Sequence, residues 1–146
     1  MKLLAKNKIE CEIDENVWKE YSNLIKGIII DYDANSLKEN AITVNAECCN
    51  IKLIDKYIRH YYNCREEKIS RVHPPLKDDF TFDDYVSEYD SKFFKFFDNN
   101  KIEKLYSFIK DVSYFDINEL FQLSCAKLAD LCTDISTSEY NSIFKA

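Results

Sequence analysis

Residues 105–132 read LYSFIKDVSYFDINELFQLSCAKLADLC, and the spacing of apolar side chains predicts a helix from Ile117 to Leu131. One stripe of this helix recurs at i, i+4, i+7 and i+11 and consists of Phe121, Cys125, Leu128 and Cys132. A second stripe, rotated from the first, consists of Ile117, Leu120, Leu123, Ser124, Leu131 and Ile135. An apolar surface this wide requires burial on two sides. The helix is therefore either buried on both faces in the core of the domain, or it packs one stripe against the core and binds a partner with the other.

Outward from this stretch, the pattern predicts more helices just upstream and strands near the start of the chain. Helices are predicted over Ile102 to Val112 and over the aromatic run Asp90 to Phe97, and a capping box at Ser136–Glu139 predicts a last helix that ends at Ala146. Turn chemistry and short β-compatible runs predict a hairpin from Lys2 to Ile13, with its turn at Lys6-Asn7-Lys8, and a third strand over Ala41 to Val44. Strands first and helices later are typical of an α+β domain.

Two helices are predicted between these regions. Asp14 is a plausible N-cap for the first, whose apolar positions are Val17, Tyr21, Leu24, Ile25 and Ile28. Asn45 or Asn50 is expected to cap the second, whose stripe is Ile51, Ile54, Tyr57, Ile58 and Tyr61. From about residue 65 to residue 84, charge and a proline pair without periodicity predict an exposed loop.

Composition limits the classes of function. The chain has 146 residues and 20 Lys+Arg against 26 Asp+Glu, a net charge of −6, which argues against nucleic-acid and anionic-membrane binding. No segment is apolar enough for a membrane span or a signal peptide, so a location in cytoplasm and nucleus is expected. The six cysteines are expected to be reduced and mostly buried.

Catalytic, cofactor and metal sites are not expected. The two histidines, His60 and His73, have no evident cysteine or carboxylate partner at ligand spacing. The acidic doublets Asp78-Asp79 and Asp83-Asp84 are interpreted as solvated charge, and no catalytic motif is present. A non-enzymatic protein without a cofactor is the resulting expectation.

Several stretches, in order, resemble segments of one known protein family. Residues 105–117, LYSFIKDVSYFDI, resemble the family's LYEIILAANYLDI, and residues 120–129 resemble its LLDVTCKTVA helix. Tyr89 to Phe93 stands where the family has WDQEF, and the strand region from Lys2 to Asp14 resembles IKLQSSDGEIFEVD. The family is that of the S-phase-kinase-associated protein 1 adaptors of SCF-type cullin–RING ubiquitin ligases, and the resemblance extends from Lys2 to about Phe144.

This resemblance implies an α+β protein of the BTB/POZ fold, with a small three-stranded sheet and a C-terminal helical extension. It implies a BTB/POZ-like domain over 1–116, with the exposed loop at about 65–84, and an extension over 117–146 for F-box binding. The implied role is a non-catalytic adaptor that bridges a cullin N-terminal domain and F-box substrate receptors. Ser113 and Tyr114 match the family's cullin contact, and the matching F-box contacts are Leu105, Ile109, Phe121, Cys125, Leu128 and Cys132.

Departures from the family pattern qualify these expectations. Ser113 replaces an asparagine, and Lys110-Asp111 replace small apolar residues, which is expected to change the charge beside the cullin contact. The family usually has another helix beyond the point where this sequence stops, at Ala146. If the chain is complete, the expectation is either that receptors bind through a smaller interface or that their F-boxes are adapted to it. Two alternatives stay open: an elongin C-like adaptor, which the residues from Asn118 to Ala146 argue against, and a BTB/POZ self-association module without a ligase role. A weak homodimer is a separate expectation, because an exposed apolar stripe favours self-association.

Overall fold

The computed structural model describes residues 1–32, 40–64, 66–71, 81–99 and 101–132. Over these residues it contains a three-stranded sheet and six α-helices, which confirms the predicted α+β class. No helix in the described ranges is both long and apolar enough to cross a membrane. The residues His73 and Ile135 and the last helix predicted from Ser136 lie outside the described residues.

The sheet forms as predicted from the hairpin and the third short strand. Its strands are β1 (Lys2–Leu4), β2 (Glu10–Glu12) and β3 (Ile42–Thr43), in the order β2-β1-β3. Strand β1 pairs antiparallel with β2, Leu3 opposite Cys11, and parallel with β3, Leu3 opposite Ile42. Lys8 closes the hairpin with a left-handed backbone, φ 64°. Leu3, in the central strand, is fully buried.

The helices are α1 (Glu15–Tyr21), α2 (Asn23–Asp31), α3 (Cys48–Asn63), α4 (Glu88–Phe94), α5 (Ile102–Phe115) and α6 (Asn118–Cys132), with 3-10 turns at Phe82–Asp84 and Lys95–Phe97. Asp14 caps α1 as predicted, because its Oδ1 accepts from Asn16 N–H at 2.9 Å. The single helix predicted after Asp14 is instead two helices, since Ser22 ends α1 and its Oγ accepts from Ile25 N–H to begin α2.

The described residues group into two compact units. The first comprises those within Met1–Lys68 and Lys110–Asn118, and the second comprises those within Ile69–Ile109 and Glu119–Ala146. Helix α5 contributes residues to both units. The division into 1–116 and 117–146 implied by the family resemblance is a different partition and stays a prediction.

The core of the first unit joins α1, α3 and the end of α5. All five residues of the predicted α3 stripe are buried, which confirms it: Ile51, Ile54, Tyr57, Ile58 and Tyr61. The Trp18 ring meets Phe115 edge to face at 5.1 Å between centroids, and its Nε1–H donates to Asp55 at 2.8 Å. Ser22 Oγ–H donates to the Phe115 carbonyl at 2.6 Å, so the last turn of α5 is fixed to the start of α2.

The second unit is built on an aromatic cluster. Its rings are adjacent in pairs with centroids 5.1–6.1 Å apart, and its members are Phe82, Phe93, Phe94, Phe97 and Phe108. Two residues near the ends of the predicted exposed loop at 65–84 are buried instead: Ile69 and Phe82, of which Phe82 belongs to the aromatic cluster. Ser70 Oγ–H donates to the buried Asp90 carboxylate at 2.6 Å, which fixes that end of the segment. The loop prediction was therefore wrong at these positions, because hydrophobic burial there carries no helical or strand periodicity.

Candidate protein-binding surfaces

Helix α6 has two apolar faces, and the structure separates them by burial. The second stripe lies in the core over the described residues, with Ile117, Leu120, Leu123 and Ser124 all buried. Leu131 of the same stripe is only half-buried. The structure thus fits the interpretation in which α6 packs one stripe against the core and is not buried on both faces.

The other face of α6, here called the α6 stripe, is Phe121, Cys125, Leu128 and Cys132, and all four side chains are half-exposed. Burial against this apolar surface raises the pKa of the Cys125 and Cys132 thiols above its ordinary value. Both thiols therefore stay protonated and weakly polar, so they suit an apolar contact. Four half-exposed apolar side chains at helical spacing are typical of helices that bind another protein.

Two polar residues orient α6 within the second unit. The Lys127 ammonium is almost completely buried, donates to Asp98 Oδ1 at 2.7 Å and lies 5.2 Å from the centroid of the Phe82 ring. Asp130 accepts from the Phe82 backbone N–H at 3.2 Å. Neither residue was singled out from the sequence, because a lysine within an apolar helix is usually exposed. Both bonds attach α6 to other residues of the second unit, Asp98 and Phe82.

The other two predicted F-box contacts, Leu105 and Ile109, are one helical turn apart on α5. Leu105 is fully buried and Ile109 is 7% exposed. They are core residues in this structure and are not offered on a surface with the α6 stripe. The six predicted positions therefore divide into four half-exposed residues on α6 and two buried residues on α5.

The predicted cullin contacts lie at the last turn of α5, where Ser113 and Tyr114 are both exposed. The Tyr114 ring meets Phe115 edge to face at 5.3 Å between centroids, and Phe115 is buried. Because Phe115 is held by Ser22 and Trp18, the Tyr114 ring projects from a well-anchored turn.

The expected change of charge beside Tyr114 is correct only in part. Lys110 is exposed, but Asp111 is 3% exposed and its Oδ2 accepts from Glu47 N–H at 3.0 Å and from the Asn50 side-chain amide at 2.7 Å. Asp111 thus caps the start of α3 from within the first unit. The predicted cap at Asn45 or Asn50 was wrong, since Glu47 occupies the N-cap position.

The cysteines are free, as expected, but most are not buried. Only Cys11 and Cys48 are buried, with their Sγ atoms 3.1 Å apart; Cys49 is exposed, and Cys64, Cys125 and Cys132 are half-buried. Cys64 also corrects the expectation that His60 has no ligand-spaced partner. Donor atoms of His60, Cys64 and Glu67 all lie within 4.8 Å of one another. The i, i+4, i+7 spacing of these residues was the signal that the sequence carried.

No family model matches the chain. A curated protein described as "S-phase kinase-associated protein 1 homolog", from Tetrahymena thermophila, is 29% identical to it over 146 residues. The match covers 99% of this chain and 80% of the relative, so both units described above lie within it. Along nearly its whole length, this chain is similar to an S-phase kinase-associated protein 1 homolog.

Proposed function

We propose that this protein is a non-catalytic adaptor of an SCF-type ubiquitin ligase, with the BTB/POZ fold, that acts in cytoplasm and nucleus. In this role, the α6 stripe receives the F-box of a substrate receptor, and the turn at Ser113 and Tyr114 contacts a cullin N-terminal domain. The observation that carries the proposal is the two-faced α6, which buries one apolar stripe and leaves the other half-exposed. The similarity to the Tetrahymena relative supports the same assignment.

The distribution of the two surfaces fits an adaptor that holds two partners. Tyr114 belongs to the first unit and the α6 stripe belongs to the second. Each surface has its own supporting contact within its unit, the hydrogen bond from Ser22 to Phe115 in one case and the ion pair of Lys127 with Asp98 in the other. A substitution in one surface is therefore expected to leave the other intact. Leu105 and Ile109 would support the F-box surface from the core instead of contacting the receptor directly.

Binding to each purified partner tests the proposal. Leu128→Asp places a carboxylate in the α6 stripe, where a docked F-box would bury it unpaired, so receptor affinity should fall by about 30-fold or more. Cullin affinity should not change. Asn118→Asp, which adds the same charge at an exposed position on the same helix, is the matched control.

The reciprocal variant is Tyr114→Lys, which should weaken cullin binding and spare the receptor. Tyr32→Lys is its control, because Tyr32 is another exposed tyrosine of the first unit. Loss of both partners in one variant that remains folded would contradict the assignment of separate surfaces. A chain that forms a stable homo-oligomer and binds neither partner would instead indicate a self-association module. Binding to an elongin-type receptor box in place of an F-box would indicate the other adaptor class.

A further inference from the structure

A cluster of three potential metal ligands lies where α3 ends, within the first unit. His60 is in the last turn of the helix, Cys64 is the residue that ends it, and Glu67 follows three residues later. One donor atom from each lies within 4.8 Å of the other two, and His60 Nε2 is 2.7 Å from Glu67 Oε2. Imidazole nitrogen, thiolate sulfur and carboxylate oxygen are the three ligand types that Zn²⁺ takes in proteins.

Backbone hydrogen bonds place the three residues near one another without a metal. Cys64 N–H donates to the His60 carbonyl at 2.9 Å, and Glu67 N–H donates to the Cys64 carbonyl at 3.0 Å. Two consecutive turns thus bring residues i, i+4 and i+7 to one side of the chain. The His60 ring also meets Tyr61 edge to face at 5.0 Å between centroids. A site whose ligands are already close needs little ordering when a cation binds.

Charge and geometry both suit a divalent cation. The cluster lies at the C-terminal end of α3, where the helix dipole favours a positive charge. One thiolate, one carboxylate and a neutral imidazole together carry two negative charges, which balance Zn²⁺. Tetrahedral zinc with bonds of about 2.0–2.3 Å separates neighbouring ligand atoms by roughly 3.3–3.8 Å. The nitrogen and oxygen ligands have the shorter bonds, so the ion would open the 2.7 Å His60–Glu67 contact by roughly 0.6–0.9 Å.

We propose that His60, Cys64 and Glu67 form a binding site for a thiophilic divalent cation, with Zn²⁺ as the preferred ion. Three protein ligands leave one position of a tetrahedral ion for water. The Glu67 side chain is 57% exposed, so the ion reaches the site from solvent and exchanges with it. Binding releases the thiol proton of Cys64 to solvent as the thiolate–metal bond forms. The proposal stands whether or not the protein is a ubiquitin-ligase adaptor.

Titration of the full, reduced chain with Co²⁺ tests the site, because cobalt reports thiolate ligation and tetrahedral geometry in its absorption spectrum. One equivalent should give a thiolate-to-cobalt charge-transfer band together with d–d bands, and Zn²⁺ should displace both. Cys64→Ser should abolish the charge-transfer band, and Cys49→Ser, which removes an exposed cysteine on the same helix, should retain it. Far-UV circular dichroism establishes that each variant is folded.

A second variant keeps the test decisive if Cys64→Ser fails to fold. Glu67→Gln changes an exposed side chain and should raise the Zn²⁺ dissociation constant by about tenfold or more. The proposal is overturned by the absence of a charge-transfer band in the unmodified chain, or by its persistence in Cys64→Ser. It is equally overturned by a Zn²⁺ affinity that Glu67→Gln leaves unchanged, which would reduce the His60–Glu67 contact to an ordinary ion pair.

Discussion

Asp111 Oδ2 accepts a hydrogen bond from the Asn50 side-chain amide at 2.7 Å, between residues that are 61 positions apart in the chain. Both side chains are buried, and the same oxygen also accepts from Glu47 N–H at the start of α3. The last turn of α5, which carries Tyr114, is therefore tied to α3 by a carboxylate at a helix N-terminus. This is a favourable place for a negative charge.

Asp111→Ala is expected to destabilise the protein by about 2–4 kcal/mol, because it removes an acceptor from the buried Asn50 amide and from the part-buried Glu47 N–H. Urea unfolding of the variant against the unmodified chain measures this free energy. Glu103→Ala, at an exposed position of the same helix, is the control and should change stability by less than about 0.5 kcal/mol. A double-mutant cycle with Asn50→Ala should show coupling between the two sites, and strictly additive effects would contradict the contact.

Much of the fold could be predicted because its signals are local. The Lys6-Asn7-Lys8 turn between two short runs predicted the hairpin, and the spacing from Ile51 to Tyr61 predicted the buried face of α3. The two stripes of α6 were likewise predicted from the spacing of apolar residues alone. Each of these signals depends on residues within one turn or one hairpin, where periodicity reports burial directly.

What the sequence could not indicate depends on distant contacts. The break at Ser22 interrupts a regular apolar spacing, and the hydroxyl that marks it bonds to Phe115, 93 residues away. The cap of α3 similarly comes from Asp111. Burial of Lys127 requires Asp98, which is 29 residues distant. Such partners become apparent only when the tertiary structure brings them together.

The two faces of α6 should differ in their effect on stability. Leu120→Ala removes a fully buried side chain and should cost about 2–5 kcal/mol. Leu128→Ala removes a half-exposed side chain and should cost about 1 kcal/mol or less in the isolated protein. Chemical denaturation of the two variants measures the contrast. Equal costs would mean that Leu128 is a core residue and that the α6 stripe is not a free surface.

Removing Asp98 should lower the stability of the folded protein more than removing the charge of Lys127. The lysine side chain is 4% exposed and the aspartate is 41% exposed, so only the lysine depends on its partner for compensation of a buried charge. Asp98→Ala should therefore cost about 2–4 kcal/mol. Lys127→Met, which keeps the length of the side chain and removes the charge, should cost less. The midpoints of urea unfolding compare the two, and the reverse order would contradict this account.

The Cys11 thiol should make stability fall at alkaline pH. Burial, reinforced by the neighbouring Cys48 thiol, raises the pKa of Cys11 from 9.0 to about 11. Between these two values the folded chain holds a proton on Cys11 that the unfolded chain has released, so its contribution is complete below about pH 9 and is lost as the pH rises toward 11.

Other groups also titrate in this range, so the informative quantity is the difference between the unmodified chain and Cys11→Ala. From about pH 8 to about pH 10.5, the unmodified chain should lose about 1–2 kcal/mol more unfolding free energy than the variant. Urea unfolding at closely spaced pH values, under reducing conditions, gives both curves. Parallel curves would mean that the Cys11 thiol titrates alike in the folded and unfolded chains, and that its contact with Cys48 does not survive in solution.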